Sequence, residues 1–308
     1  MKKILTIILC SALVMISGCD KYDFDQEQFR KEVNLLSNSN LVYDRQVAEL
    51  QQGGDTLFVV ASLSGSQATD EPVTVVLQHS DTLLRAYNKS NFDINKARFA
   101  KYLPEECYEF PTMEMNISAG SSKAMFPVYL KNLEKISPDS IYFLEYKIDS
   151  LRTPDCNPKK RHVLLRIHKE NYYASTQTAT YYNYTSSTVI IPNPDGYSEV
   201  RRPTNSNRVF PISENSVRLM AGDENFTDYT TALDIINKGS IILEMGAQLP
   251  ENPLAKELTI LPYQSIDVVQ LTPIGEYDNT YLLNVIRTPD GRSTYYCLLY
   301  TSPSPRDR

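Results

Sequence analysis

The sequence predicts an all-β protein, in which a β-sandwich is followed by an antiparallel β-meander that closes as a small barrel or as a second sandwich. Three observations predict this fold class. Apolar and polar residues alternate in short runs over most of the chain, a period typical of strands with one buried face. Tyr is abundant, with 21 residues against 11 Gly, and runs rich in Tyr, Val, Ile and Thr favour strands. Turn signals separate the runs.

The chain begins with the pattern of a secretory signal. Lys2 and Lys3 precede an apolar run that ends at Ile16 and is too short for a transmembrane span. The run closes in Ile-Ser-Gly-Cys19, which resembles a lipobox, the sequence that lipoprotein signal peptidase cleaves before a lipidated cysteine. We expect residues 1–18 to be removed and Cys19 to carry the lipid. An ordinary secretory peptide that ends near a cysteine is the alternative.

A short acidic segment follows within the expected tether of residues 19–30. Asp20, Asp23 and Asp25 lie directly behind the lipidation site. A solvated tether between lipid and fold accounts for this composition. An acidic run in this place also resembles the surface-export signal of lipoproteins in glycan-degrading gut bacteria, and both interpretations stay open.

The charge balance excludes one class of partner. The formal net charge is -6, from 31 Lys and Arg against 37 Asp and Glu. A negative surface repels the phosphates of nucleic acids and of anionic lipid headgroups. We therefore expect no nucleic-acid partner, and contact with the membrane through the lipid anchor only.

Residues 31–170 are predicted to form the first domain, a β-sandwich. Six or seven short strands with turns between them are typical of that architecture, each with one buried face and one wet face. Between Ser80 and Tyr102 the alternation stops, which predicts a helical or irregular connection capped by Ser80 and Asp81. The apolar residues that define the strands are Leu57, Val59, Ala61 and Leu63; Val73, Val75 and Leu77; Met113, Met115 and Ile117; Ala124, Phe126, Val128 and Leu130; Tyr142, Leu144, Tyr146 and Ile148; and Val163, Leu165 and Ile167.

Residues 171–300 are predicted to form the second domain, the barrel or sandwich. The polar, aromatic segment from Asn171 to Gln177 has no apolar periodicity and marks the boundary. Short links between sequential strands, such as Asn193-Pro194-Asp195-Gly196, are typical of a meander. The predicted strands are Val189–Ile191, Val217–Met220, Ala232–Ile236, Ile241–Met245, Leu258–Leu261, Ile266–Leu271 and Tyr281–Ile286.

The last residues, LLYTSPSPRDR, resemble translated library adapter at the ends of metagenomic sequences. A strand pattern from Ser293 to Tyr296 runs into them without a turn signal. We expect residues 301–308 to be non-native, and Cys297 lies close enough to them to be suspect. A genuine disordered tail rich in Ser, Pro and Arg is the alternative.

Cys107 and Cys156 form the candidate disulfide. Both lie in polar segments flanked by proline, and an exported protein meets an oxidising compartment. The pair requires the two Cα atoms to lie within bonding distance, which the sequence does not determine. Paired and free thiols therefore both stay open.

Four short motifs recur in the same order in a known family. They resemble the framework of an N-terminal domain of unknown function in surface lipoproteins of bacterial polysaccharide-utilisation loci, and the segment after residue 171 is similar to a second uncharacterised domain often paired with it. The family often has proline where this chain has Glu145, a departure that bears on strand geometry. The motifs are Leu103-Pro104-Glu105-Glu106-Cys107-Tyr108, Ile117-Ser118-Ala119-Gly120, Val128-Tyr129-Leu130 and Ile141-Tyr142-Phe143-Leu144.

This resemblance implies an Ig-like first domain and a role in glycan capture at the cell surface, anchored in the outer membrane by lipid. The implied partners are a glycan and an outer-membrane importer with its lipoprotein partners. A surface adhesion or structural lipoprotein that binds protein partners is the alternative function.

The sequence has no metal-ligand spacing, Gly-rich phosphate loop or Gly-x-Ser-x-Gly elbow, and a Ser-His-Asp triad, which needs no contiguous motif, is the catalytic arrangement that stays open. A glycosidase needs two carboxylates about 5–10 Å apart, whereas Glu105-Glu106 and Asp223-Glu224 are adjacent residues in turn-like segments, typical of solvated surface charge. His162 and His168 would lie about 20 Å apart on one strand, too far to share an ion. We expect a protein that is not an enzyme, with no cofactor and no metal.

Tyrosines at the domain boundary are the candidate glycan-binding residues. Sugars present apolar faces that stack on aromatic rings, while neighbouring polar groups bond their hydroxyls. Packing in a core, with the hydroxyl at the surface, is the alternative interpretation. Trp, a common platform for sugar rings, is absent. The candidate residues are Tyr172, Tyr173, Tyr181, Tyr182, Asn183 and Tyr184.

Overall fold

The computed structural model describes the first domain almost completely and the second domain in segments. Several predictions from the sequence fall outside this part of the chain and stay predictions: Cys19, the acidic residues behind it, Tyr184, Asp223-Glu224 and residues 301–308. The side chains of Tyr182, Asn183 and Cys297 are also outside it. The described residues are 27, 29–183, 189–192, 198–201, 206–220, 236, 240–249, 252–263, 268–273, 281–287 and 293–299.

The first domain is built from short strands and one α-helix, α1 (Leu83–Phe92). Short 3-10 helices occupy Lys96–Arg98, Glu105–Cys107 and Leu133–Lys135. Among the described residues, no helix has the length and apolar character needed to span a membrane. The strands are β1 (Val33–Leu35), β2 (Val42–Tyr43), β3 (Val47–Glu49), β4 (Asp55–Leu63), β5 (Val73–His79), β6 (Lys101–Tyr102), β7 (Tyr108–Glu109), β8 (Glu114–Ile117), β9 (Lys123–Leu130), β10 (Tyr142–Ile148) and β11 (His162–Glu170).

These strands form two sheets around one hydrophobic core, which confirms the predicted sandwich. The first sheet has the order β1-β4-β9-β7, and the second has the order β2-β11-β10-β5-β8 with β3 and β6 attached. Burial alternates along β9, where Ala124, Phe126, Val128 and Leu130 face the core. Because each of these residues meets the opposite sheet, the local period of two was sufficient to identify the inner face.

The predicted wet outer face is wrong for β10 and β11. Phe143 is 0% exposed and Leu164 is 1% exposed, although both lie on the face opposite the main core. The helix α1 covers them, with the Tyr87 ring packed edge-on against Phe143 at 4.8 Å between centroids. The helical connection predicted between residues 80 and 102 is therefore confirmed, and it shields the second sheet from water.

The N-terminus of α1 is capped by a residue from the sheet. Glu145, 3% exposed on β10, accepts hydrogen bonds from the backbone N–H groups of Thr82, Leu83 and Leu84 at 3.0, 2.9 and 3.1 Å. These are amide groups that a helix leaves without intrahelical partners. The predicted cap by Ser80 and Asp81 is wrong, since a carboxylate distant in sequence occupies that position.

The second domain contains two five-stranded sheets. Their orders are β12-β15-β16-β17-β18 and β14-β13-β21-β20-β19. The described strands form two separate sheets rather than one closed barrel, so the sandwich is the correct one of the two predicted alternatives. The strands are β12 (Thr180–Asn183), β13 (Val189–Pro192), β14 (Ser198–Arg201), β15 (Ser206–Ser213), β16 (Ser216–Met220), β17 (Ser240–Leu249), β18 (Asn252–Pro262), β19 (Val268–Pro273), β20 (Tyr281–Arg287) and β21 (Ser293–Leu299).

Six of the seven strands predicted in this domain coincide with observed ones. Of the seventh, predicted from Ala232 to Ile236, the one described residue is Ile236, which is helical rather than extended. Strands β12, β14 and β15 were not predicted. The pairing also departs from a simple meander, because β13 pairs with β21 and so joins the beginning of the domain to its end.

Cys107 and Cys156 are free thiols, so the disulfide considered from the sequence is not formed in this structure. The Cys107 Sγ is 3.7 Å from the carbonyl oxygen of Asn132, whereas Cys156 forms a backbone bridge with Val33 on β1. Each cysteine is held by a different neighbouring segment, and burial raises the pKa of the Cys107 thiol.

Candidate functional site

The junction of the two domains is held by the segment that the sequence marked as their boundary. β11 ends at Glu170 in the first domain and β12 begins at Thr180 in the second. Asn171 lies between them and is 2% exposed. Its Nδ2 donates to the carbonyl oxygens of Ser213 and Ser216 at 2.6 and 3.0 Å, which connects the end of β11 to the β15–β16 hairpin.

A buried ion pair crosses the same junction. The Asp139 carboxylate of the first domain lies 2.6 Å from the Arg218 guanidinium of the second, with side chains 3% and 1% exposed. The guanidinium lies over the rings of Phe210 and Tyr263, at 4.5 and 5.3 Å from their centroids. Burial raises the pKa of Asp139, and the nearby Arg218 opposes that shift.

A second buried cation supports this cluster from the first domain. The Lys169 Nζ donates to the carbonyl oxygens of Leu133 and Ile136 at 3.2 and 3.0 Å, at the end of the 3-10 helix Leu133–Lys135. Burial lowers the pKa of Lys169 to about 8. Burial of these charged groups costs free energy, which is offset only while each group stays in contact with its partner. The junction is therefore stable only in the arrangement that keeps these contacts. We interpret the cluster as the element that sets the orientation of the domains.

Beside this junction lies a polar cleft, which we call the junction cleft. Its volume is about 410 Å³, within the range typical of small-molecule sites. Three chain segments form its walls: the turn between β3 and β4, the segment after β9, and the tip of the β15–β16 hairpin. The lining residues are Glu49, Leu50, Gln51, Gln52, Gly53, Gly54, Lys131, Asn132, Leu133, Glu134, Ser213 and Glu214.

The walls that the first domain contributes to the junction cleft contain residues with a left-handed backbone conformation. Gly53 and Gly54 have φ values of +98° and +83°, which L residues rarely adopt. A Cβ at Gly54 would collide with the carbonyl oxygen of Leu130. Asn132 is left-handed at φ 53°, and its Nδ2 donates to the carbonyl oxygen of Glu106 at 2.9 Å.

Two of the predicted tyrosines lie side by side at the junction but differ in exposure. Tyr172 is 50% exposed, whereas Tyr173 is 8% exposed. Their rings meet edge to face at 5.1 Å between centroids. Tyr173 therefore fits the core interpretation, and Tyr172 retains a surface that a ligand can contact.

The remaining candidates lie on or after β12. Tyr181 is 49% exposed, and its backbone pairs with Arg208 on β15. Tyr182 and Asn183 belong to β12 by their backbone pairing with Asn207 and Ser206. Of the six predicted residues, Tyr172 and Tyr181 are the described ones with exposed rings.

The residues of the junction cleft were not predicted from the sequence. Gln51-Gln52-Gly53-Gly54 has the composition of a turn, which was a signal for a loop but not for a binding surface. Ser213 lies 159 residues beyond Gly54 in the chain. Only the packing of two domains brings these segments together.

The described residues contain no group of three His, Cys, Asp or Glu side chains placed to hold a metal ion. Glu105 and Glu106 are both exposed, as predicted for surface charge. His168 is 4% exposed, and burial lowers its pKa to about 4, so this histidine is neutral at physiological pH.

The chain matches two paired models of one protein family. One family model, for an N-terminal domain, matches residues 29–155, and its paired model, for a C-terminal domain, matches residues 161–301. A search of curated proteins found no match.

Solved structures from Bacteroides share the fold. A Bacteroides ovatus protein of unknown function is 15% identical, with a TM-score of 0.58 over 87% of this chain and 93% of that one. A multidomain B. ovatus protein that includes DUF1735 is 14% identical, with a TM-score of 0.57 over 87% and 92%. An auxiliary nutrient binding protein from Bacteroides thetaiotaomicron is 15% identical, with a TM-score of 0.56 over 84% and 89%.

At this level of identity the likeness is one of fold, and it extends over both domains. Together, the paired family models account for nearly all of the chain beyond its first 28 residues. The chain therefore belongs to the two-domain family that these models define, in which an N-terminal domain is followed by a C-terminal domain.

Proposed function

We propose that the protein is a cell-surface glycan-binding lipoprotein that captures oligosaccharide or polysaccharide for an outer-membrane uptake system. The observation that carries this proposal is the junction cleft, which both domains line with amides, carboxylates and a hydroxyl. Such groups bond sugar hydroxyls, which donate and accept hydrogen bonds. The exposed ring of Tyr172 follows Asn171, which bonds the cleft residue Ser213, and supplies an aromatic surface at the same junction.

A structural relative supports a binding role. The B. thetaiotaomicron structure with the same two-domain fold is named an auxiliary nutrient binding protein. A binding function also agrees with the exposure of the cleft carboxylates Glu49, Glu134 and Glu214, since a general acid is normally desolvated to raise its pKa. We therefore propose capture without catalysis.

The path of the chain would place the cleft away from the membrane. Glu27 is held by the loop after β4, where its carboxylate accepts hydrogen bonds from the backbone N–H groups of Ser66 and Gln67 at 2.8 and 3.1 Å. These bonds lower the pKa of Glu27 to about 2. The junction cleft lies at the opposite end of β4, whose nine residues span about 30 Å. A lipid tether that enters at Glu27 would present the cleft outward.

One observation favours the alternative, adhesion to a protein partner. Met125 and Tyr129 on β9 and Leu36 beside β1 are 43%, 46% and 43% exposed, on the outer face of the first sheet. Exposed apolar side chains in neighbouring rows are typical of protein-interaction surfaces. The glycan experiment below separates the two functions, because binding to no glycan would favour adhesion.

Substitution of Tyr172 tests the glycan site. We expect Tyr172→Ala to weaken binding of a captured oligosaccharide about fivefold, since aromatic stacking contributes roughly 1 kcal/mol. Titration calorimetry of the detergent-solubilised full chain against a panel of host and plant glycans measures the change. Tyr129→Ala is the matched control, because this tyrosine is equally exposed but lies on the outer face of the first sheet. Equal effects of the two substitutions would contradict the site.

Substitution of Cys19 tests the anchor. We expect Cys19→Ala to abolish fatty-acid labelling and to move the protein from the membrane fraction to the soluble fraction, because the thiol is the attachment point of the lipid. Radiolabelled palmitate and membrane fractionation measure both effects. Retention of label in this variant would contradict lipidation at Cys19.

A further inference from the structure

We infer that the junction cleft selects neutral saccharide units and rejects anionic ones, such as uronates and sulfated sugars. This inference rests on the proposed function, and it adds a substrate class to the site. It follows from the charges that line the cleft, from the groups that can bond a ligand there, and from the fixed shape of its walls.

The charge of the junction cleft is predominantly negative. Glu49, Glu134 and Glu214 line it from three different segments, and all three are exposed. Lys131 is the single cation among the lining residues, and it lies 4.0 Å from Glu109, outside the cleft. A carboxylate or sulfate on a sugar would therefore meet a net negative field and lose binding energy to like-charge repulsion.

The other lining groups suit uncharged hydroxyls. Gln51, Gln52 and Asn132 line the junction cleft with side-chain amides. The Gln51 Nε2 donates to the carbonyl oxygen of Gly54 at 3.2 Å and the Asn132 Nδ2 donates to that of Glu106. Their amide oxygens, like the carboxylates, accept hydrogen bonds from sugar hydroxyls. The Gln52 side chain is exposed at the tip of the turn before β4. A neutral sugar ring can satisfy acceptors of this kind with its hydroxyl protons, whereas an anion adds acceptors where donors are needed.

The shape of the cleft supports recognition of a short unit rather than a long flat surface. Its volume of about 410 Å³ is near the lower end of small-molecule sites. The turn at Gly54 packs closely against the backbone of Leu130, where a Cβ would overlap the carbonyl oxygen. The third wall, Ser213-Glu214, is positioned by the Asn171 hydrogen bonds. One or two sugar units thus contact both domains at once.

The test uses matched pairs of oligosaccharides, each pair sharing linkage and length and differing in the presence of uronate or sulfate groups. We expect the detergent-solubilised full chain to bind at least one neutral member, and to bind it at least tenfold more tightly than its anionic counterpart at low salt. Equal or tighter binding of the anionic members would overturn the charge selectivity but leave glycan capture intact. Binding of no member would overturn the proposed function, and this inference with it.

Charge reversal locates the selectivity in the cleft. The double variant Glu134→Lys/Glu214→Lys is expected to raise the affinity for the uronate member at least tenfold, because the local field changes sign. The matched control is Glu71→Lys, an exposed carboxylate at the opposite end of the first sandwich, which should leave both affinities unchanged. Equal effects of the cleft and control variants, or no effect of the double variant, would overturn the placement of the saccharide in the cleft.

Discussion

Replacing Arg218 with Met is expected to lower the free energy of unfolding by about 3–5 kcal/mol. The substitution leaves the Asp139 carboxylate buried at the domain junction without the guanidinium that lies 2.6 Å from it. Removing one member of a buried ion pair is strongly destabilising, because the remaining carboxylate stays out of water without its partner. Chemical unfolding followed by circular dichroism measures the loss, with each transition fitted separately because two domains need not unfold together.

Two variants control for this effect. Arg208 also lies over the Phe210 ring, at 4.8 Å from its centroid, but it is only half-buried, so Arg208→Met should cost about 1 kcal/mol or less. The double variant Asp139→Leu/Arg218→Met removes both charges and should recover much of the stability. A double variant less stable than Arg218→Met alone would show that the pair is not the source of the loss.

The Arg218 substitution should also affect the junction cleft. Arg218 lies on β16, directly beyond the hairpin tip that carries Ser213 and Glu214. If the ion pair sets the domain orientation, its removal displaces one wall of the cleft relative to the other two. Loss of glycan affinity in a variant that remains folded would distinguish this role from stability alone.

Glu145→Ala is expected to cost about 3 kcal/mol. This substitution removes one carboxylate that bonds three backbone N–H groups of the α1 N-terminus and the Tyr102 hydroxyl, at 2.8 Å. Hydrogen bonds to a charged group contribute about 1.5–3 kcal/mol, and the buried donors would lose their acceptor. Unfolding by urea measures the change. Glu145→Gln retains an acceptor and should lose about half as much.

The matched control for Glu145 is Glu114, which pairs with Arg152 on the surface of the same sheet. Glu114→Ala should change the free energy of unfolding by less than about 1 kcal/mol, since exposed ion pairs contribute little. A Glu145→Ala variant as mild as Glu114→Ala would mean that water replaces the carboxylate at the cap.

The pH dependence of the Glu145 contribution has a defined sign. Burial acts to raise the pKa of this carboxyl, but the hydrogen bonds from Leu83, Tyr102 and Leu84 outweigh it, and the net pKa is below its ordinary value. The stabilisation that ionised Glu145 gives the folded protein is therefore fully present above the ordinary glutamate pKa. It is lost as the pH falls through the lowered pKa of Glu145. In the Glu145→Ala variant, the decrease in the free energy of unfolding that protonation of Glu145 causes at acidic pH should disappear.

Glu145 also shows what a departure from a family pattern can mean. The family resemblance of the sequence implies proline at this position, and the expected consequence of its replacement was limited to strand geometry. The structure places a buried carboxylate there, under the end of α1. In this chain the residue connects the helix to the sheet, a role that proline lacks the acceptor to fill.

A feature of the fold could be predicted from the sequence when it depends on residues within a single segment of the chain. The alternation of Ala124, Phe126, Val128 and Leu130 marks one face of a strand wherever the strand packs, because the side-chain period is a property of the backbone. Phe143 and Leu164 have the same chemistry on the other face, but their burial depends on α1. A sequence pattern reports which residues can be buried, not which neighbour will cover them.

The candidate site was less predictable for the same reason. The sequence identified Tyr172 as a residue of the domain boundary and Tyr173 beside it, but it did not separate the exposed ring from the buried one. Asp139 and Tyr263 lie 124 residues apart in the chain and 3.5 Å apart in the fold. No spacing rule connects such residues, because their proximity results from two domains packing together.

The sequence by itself determined the all-β class, the two-domain division of the strands, the helical connection and the expectation of a lipid anchor, since each depends on periodicity, composition or a contiguous motif. Only the tertiary structure decided that α1 covers the outer face of β10 and β11, that the second domain is a sandwich, and where a cleft opens. These features depend on contacts between segments distant in the chain. Such contacts are stabilised when two particular apolar surfaces are buried against each other and leave water. The order of residues along the chain does not specify which surfaces pair in this way.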